Sequence, residues 1–151
     1  YRLGVGLIDT NQDEMSFVES YLLTAPKADY LPDRLRVLYE GLIKIIEEWK
    51  PDEAAIEQPF VHLNARTAMM IGYVQAVAML AAAQYHIPVQ MYSPKEIKKS
   101  VTDYGNSSKE QVHEMVKVIL DLEKLSDSLD VSDALAVTIC HSREVQIRQL
   151  L

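Results

Sequence analysis

The chain reads as an α/β domain, and three observations say so. Short β-rich runs alternate with longer stretches in which apolar residues recur at spacings of three and four. The resulting order is β-β-α-β-α-β-α-α-α. The 151 residues, 48% apolar and 25% charged, suffice for one domain, residues 1–151, with its own core and ordinary globular composition.

Leu3 to Ile8 is predicted as a strand thinned by Gly4 and Gly6. The polar turn Asp9 to Asp13 leads into a second strand, Phe17 to Leu23, rich in β-formers. These two are expected to pair as a hairpin. A loop over 24–31 precedes a helix from about Pro32 to Lys50. Proline suits its first turn, where the N–H has no helical partner. Leu35, Leu38, Leu42, Ile45, Ile46 and Trp49 give that helix one apolar face.

Pro51 ends this helix. Ala54, Ala55 and Ile56 are too few for a helix and suit a buried strand, which delivers Glu57 at its C-terminal end. Gln58, Pro59 and Phe60 follow in the exit loop. In open α/β sheets, ligands bind beyond the carboxyl ends of the strands. There Glu57 is a candidate metal ligand and Phe60 a candidate stacking platform. A surface Glu at a strand end, and a loop Phe that plugs a gap, are the plainer alternatives.

Asn64 suits the N-cap of a helix running to about Tyr85. Ala65, Ala68, Gly72 and Ala76 put small residues on one stripe, and Met69, Met70, Val74, Val77, Met79 and Leu80 cover much of the rest. A helix apolar nearly all round is buried on more than one side. One face is expected in the core, and the other in a subunit interface or in the centre of a single domain. Ile87 to Tyr92 is the next strand. Ser93 and Pro94 open a short helix carrying Lys95, Lys98 and Lys99. Gly105-Asn106 marks a turn, Ser108 caps a helix from Lys109 to about Leu122, and residues 123–129 form a polar loop. The last helix runs from about Val131 to Leu150.

The net charge of −7 argues against a protein that coats nucleic acid non-specifically. A cluster of carboxylates that binds cations would make the formal charge more negative than the working one. No apolar run of about 18 or more residues occurs, so no membrane-spanning segment and no membrane partner are expected, and no basic-then-apolar signal pattern opens the chain. The single cysteine, Cys140, excludes an internal disulfide framework and fits a reducing cytoplasm.

Asp130-Val-Ser-Asp133 opens the last helix. Residues at i and i+3 share a face, so both carboxylates can point to one place. Capping the free N–H groups is the simpler role, but one Asp suffices for it, and a second adds repulsion unless a cation offsets it. Magnesium takes oxygen ligands, and paired ions hydrolyse phosphodiesters when several carboxylates converge. Glu57, Asp130 and Asp133 supply three. Lys98 and Lys109 are candidate phosphate contacts, against the alternative of a solvated helix face. His141 lies two turns beyond Asp133, about 12 Å along the axis, and is expected to be structural.

Taken together, Ala55-Ile-Glu-Gln-Pro-Phe60, Tyr92 through Lys99, Lys109-Glu-Gln-Val112 and Asp130-Val-Ser-Asp-Ala-Leu-Ala136 with His141 resemble the RuvC-type Holliday junction resolvases. Leu31-Pro-Asp-Arg-Leu35 fits the same pattern. Each fragment is weak, but their order and spacing over nearly the whole chain are specific. The resemblance implies an RNase H-like mixed sheet flanked by helices. It also implies a cytoplasmic homodimer that cuts four-way DNA junctions with magnesium or manganese and works with RuvA and RuvB. It makes Glu57, Asp130 and Asp133 catalytic metal ligands, Phe60 a contact to unpaired bases, and Lys98 and Lys109 neighbours of the scissile phosphate. The family's first strand ends in Gly-Ile-Asp-Pro-Gly, whose Asp is the first ligand. The chain begins at Tyr1, just where that turn would end, and Asp9 falls at the far end of the following strand. An omitted upstream segment is therefore expected. Another RNase H-like nuclease, a non-catalytic junction-binding module and a purely structural dimer are the alternatives.

Overall fold

The computed structural model describes residues 1–27, 30–58 and 64–151. Strands β1 (Arg2–Asn11) and β2 (Glu14–Thr24) form the expected antiparallel hairpin. Both run longer than the sequence suggests, because only Gln12 and Asp13 are needed to turn the chain. Gln12 takes a left-handed φ of 56°, as tight hairpins require. Then come α1 (Leu31–Trp49), β3 (Ala54–Glu57), α2 (Ala65–Gln84), β4 (Val89–Tyr92), α3 (Pro94–Thr102), α4 (Lys109–Ile119) and α5 (Leu129–Leu150). The order matches the expected one. Helix α4 stops before Leu122 because Leu120 caps it and Asp121 turns left-handed at φ 52°. Helix α5 starts two residues early, so Asp130 lies in its first turn.

β3 and β4 pair in parallel, with Glu57 opposite Tyr92. The mixed pairing is present, but among the described residues it forms two two-stranded ladders and not one continuous sheet. The joining element is α5, which touches β1, β2, β3, α3 and α4. Val131, Leu135, Val137, Ile139 and Cys140 of α5 are all buried. They pack with Tyr92, Ile97, Val101, Val112, Val116 and Leu120 into the main core. Burial pushes the Cys140 thiol up, consistent with a packing role.

Gly4 and Gly6 do more than thin β1. A Cβ on Gly4 would stand 2.0 Å from the carbonyl oxygen of Asp130, and one on Gly6 would stand 2.6 Å from Leu135 Cδ2. They let α5 lie directly on the hairpin. Thr10 Oγ1 and Ser142 Oγ, 2.9 Å apart, hydrogen-bond across the same contact.

Helix α2 is less buried than its nearly all-round apolar composition suggests. Asn64 caps it, accepting from the Thr67 N–H at 2.9 Å. Val74, Ala81 and Ala82 are buried, and α2 packs on α1 and β4. Met69 and Leu80 are 57% and 55% exposed, and a Cβ at Gly72 would meet nothing within 4 Å. By length and composition alone this helix could cross a membrane, although polar Thr67 and Gln75 interrupt the apolar run. In this fold it is a component of the α1–α2 layer with one apolar face left open.

Candidate active site

Glu57 ends a strand of small residues. The Ala54 N–H donates to Pro88 O at 2.9 Å, and the Gln58 N–H to Tyr92 O at 2.7 Å, so the ladder continues to either side of β3. The Gln75 side-chain amide donates to the Glu57 carbonyl, tying the strand end to α2. The Glu57 side chain lines a cleft of about 170 Å³ together with Lys98, Lys109 and Asp133, over Ile97 and Ala136.

The two lysines arrive on helices whose starts are fixed in the same way. Ser93 accepts from the Glu96 N–H at 3.2 Å while the Glu96 carboxylate accepts from the Ser93 N–H at 2.7 Å. Ser108 and Gln111 repeat this capping box at the start of α4. A capping box satisfies two free donors reciprocally and sets the entry of the chain. Lys98 sits one turn into α3, and Lys109 is the first residue of α4. Between them the Thr102 and Ser107 hydroxyls, 2.8 Å apart, close the connecting loop.

Asp133 enters from α5. Lys109 Nζ lies 3.9 Å from its Oδ2. Burial holds the Asp133 carboxyl above its usual range, with Lys109 pulling the other way and Asp130 adding to the rise. The Glu57 carboxyl is raised first by burial and then by the charge of Asp133, with Lys109 and Lys98 opposing. Two carboxylates raised chiefly by burial, and two ammonium groups that oppose the rise, thus share one cleft.

Asp130 does not line this cleft. Its Oδ2 pairs with Arg2 Nε at 3.4 Å and accepts from the Ser128 hydroxyl at 3.5 Å. Arg2 was not foreseen as a site neighbour. Nothing local to its sequence marks it, and β1 alone brings it to the start of α5. Among the described residues no three acidic, His or Cys side chains converge as a ready-made metal site. Glu57 and Asp133 nevertheless fit a hard divalent cation, since both are oxygen donors facing one cleft and burial makes their ionised forms costly without a counter-charge. Phe60 lies outside the described residues.

His141 does not face the cleft. Its Nδ1 stands 2.7 Å from the Tyr92 hydroxyl and its Nε2 meets Glu53. The sequence leads one to expect a structural His141, but these two partners were not legible in it.

Comparison with known proteins bears on the family and the fold. The family model described as Crossover junction endodeoxyribonuclease RuvC matches residues 1–141. Crossover junction endodeoxyribonuclease RuvC from Dehalococcoides mccartyi is 47% identical over 139 residues, spanning 92% of this chain and 83% of that protein. The RuvC of Bartonella henselae is 43% identical, over 93% of this chain and 83% of that protein. Among solved structures, Thermus thermophilus RuvC in complex with Holliday junction substrate superposes with a TM-score of 0.91 at 21% identity. That match covers 97% of this chain and 90% of that one, and it carries the fold: the RNase H-like architecture expected from the sequence. The family model and the identity of the relatives carry more, and by them the chain belongs to the RuvC family of crossover junction endodeoxyribonucleases.

Proposed function

We propose that this protein cuts four-way DNA junctions by divalent-metal-dependent phosphodiester hydrolysis, with residues 1–151 working as one nuclease domain. The observation that carries the reading is the cleft itself. Two carboxylates and two lysines from four separate elements, β3, α3, α4 and α5, face one space.

In this mechanism Glu57 and Asp133 would hold the ion, and Asp130, here paired with Arg2, would be the third oxygen donor. Magnesium, with manganese as the alternative, supplies a Lewis acid that activates water and stabilises the leaving oxygen. Lys98 and Lys109 bind the phosphate at the mouth of the cleft and balance the charge that develops there. Lys109, whose own side chain is 64% exposed, would leave Asp133 to do so, a small loss because the pair is already long at 3.9 Å. By the sequence resemblance, Phe60 stacks on a base already unpaired at the junction, where no duplex need be opened. The open face of α2 pairs two copies, so that one dimer addresses both strands to be cut. A cytoplasmic site and cooperation with RuvA and RuvB complete the reading and rest on family resemblance.

The test is a comparison of substrates. With magnesium the protein should nick a synthetic four-way junction and leave a linear duplex of the same sequence uncut, and a chelator should stop the reaction. Equal cutting of both substrates would point to a general nuclease. Cutting that survives the chelator would remove the metal from the account.

A further inference from the structure

Tyr92, His141 and Glu53 form a continuous chain of polar side chains behind the cleft. Tyr92 ends β4 and is 5% exposed. A buried tyrosine hydroxyl needs a partner, and here it is His141 Nδ1 at 2.7 Å. The other ring nitrogen, Nε2, meets the carboxylate of Glu53, the residue before β3. In the neutral imidazole, Nδ1 accepts from the hydroxyl and Nε2–H donates to the carboxylate. Every group is then used and one tautomer is fixed. Burial, ahead of the nearby Cys140, pushes the Tyr92 phenol up to about 12, so it stays a donor under ordinary conditions.

The placement of this chain matters more than its bonds. Tyr92 is the in-register partner of Glu57, and its carbonyl accepts the next N–H, that of Gln58. Residues in register on neighbouring strands project to the same face. Tyr92 and Glu57 therefore both point at α5. One meets His141, and the other shares its cleft with Asp133, eight positions earlier on the same helix. Glu53 precedes β3 and Glu57 ends it. The hydrogen-bonded chain thus ties the strand pair to the helix that carries Asp133. A pair of four-residue strands has little stability of its own, so its docking on α5 decides where Glu57 stands.

We propose that Tyr92, held by His141 and Glu53, is a positioning residue for Glu57, fixing the distance between the Glu57 and Asp133 carboxylates. This rests on the metal reading above. The test is direct Mn²⁺ binding to the full-length protein, read from the electron paramagnetic resonance of the free ion, alongside junction cleavage against Mn²⁺ concentration and thermal unfolding. Tyr92→Phe and His141→Ala should weaken Mn²⁺ binding about tenfold, the lower end of the loss when groups supporting a metal ligand are removed. The Mn²⁺ needed for half-maximal cleavage should rise in step, while junction binding stays unchanged. His141→Asn, which keeps an acceptor toward the hydroxyl, should recover most of the affinity. Should a core variant fail to fold, Glu53→Ala, whose side chain is 46% exposed, carries the same test, and wild-type Mn²⁺ affinity in it overturns the proposal. Wild-type affinity in folded Tyr92→Phe and His141→Ala, with only melting temperature lowered, also overturns it and leaves the chain a stabilising one. Glu57→Gln separates the two levels. If it loses Mn²⁺ while Tyr92→Phe does not, the positioning role alone falls. If it too binds Mn²⁺ normally, the metal reading falls with it.

Discussion

Lys109 Nζ stands 3.9 Å from Asp133 Oδ2, so the first residue of one helix is the counter-charge for a carboxylate carried by another. Lys98 lines the same cleft from a third. If these ammonium groups meet the phosphate, Lys109→Ala and Lys98→Ala should each lower the cleavage rate by about tenfold or more. The slope of log binding constant against log salt should fall by about one per lost contact. Measurement across a salt series checks both at once. Unchanged rate and slope would return the lysines to a solvated face.

Glu57 and Asp133 both carry carboxyls raised chiefly by burial. A folded pKa above the unfolded one stabilises at low pH, and that stability is lost as pH rises through the folded value. At neutral pH, then, both ionised groups work against folding of the metal-free protein. Glu57→Gln and Asp133→Asn should raise its melting temperature at neutral pH, with the gain shrinking as pH falls into the carboxylate range. Magnesium should raise the melting temperature of the wild type and do so much less in either variant. The Asp133 side chain is 40% exposed, which makes its share partial.

Gly4→Ala puts a methyl group 2.0 Å from the Asp130 carbonyl oxygen. Helix α5 must shift or β1 must bend, and overpacking of this kind costs about 1–3 kcal/mol. Urea unfolding should report that loss, and the start of α5, with Asp130 and Asp133, should be displaced.

These glycines mark the limit of what the sequence discloses. Local patterns sufficed for the hairpin, the capped helices α3 and α4, and the strand that ends in Glu57, because apolar period and capping residues are local signals. Glu57, Asp133, Lys98 and Lys109 were legible as candidates, since unlike charges gathered at strand exits and helix starts are written in order along the chain. The Arg2–Asp130 pair, the Tyr92–His141–Glu53 chain and the close seat of α5 on Gly4 and Gly6 were not. Each joins residues far apart in sequence whose meeting is decided by how α5 crosses two separate ladders. A Gly in a strand reads as a weakness until the backbone against it is known.

The open face of α2 carries its own expectation. Ala68, Gly72 and Ala76 leave a shallow stripe flanked by exposed Met69 and Leu80. If two copies meet there, Ala68→Trp should give monomers in light scattering at micromolar concentration while the far-ultraviolet circular dichroism stays native. A wild type already monomeric at that concentration would contradict the interface.

The central claim is that Glu57, Asp130 and Asp133 serve the chemistry and not the grip on DNA. The most direct measurement is single-turnover cleavage of a synthetic four-way junction by Glu57→Gln, Asp130→Asn and Asp133→Asn full-length protein, with junction affinity measured in parallel. Because affinity for DNA comes mainly from phosphate contacts, the expected result is loss of cleavage in each variant with binding close to wild type. Wild-type cleavage by any one of them would contradict the assignment of that residue, and wild-type cleavage by both Glu57→Gln and Asp133→Asn would contradict the site.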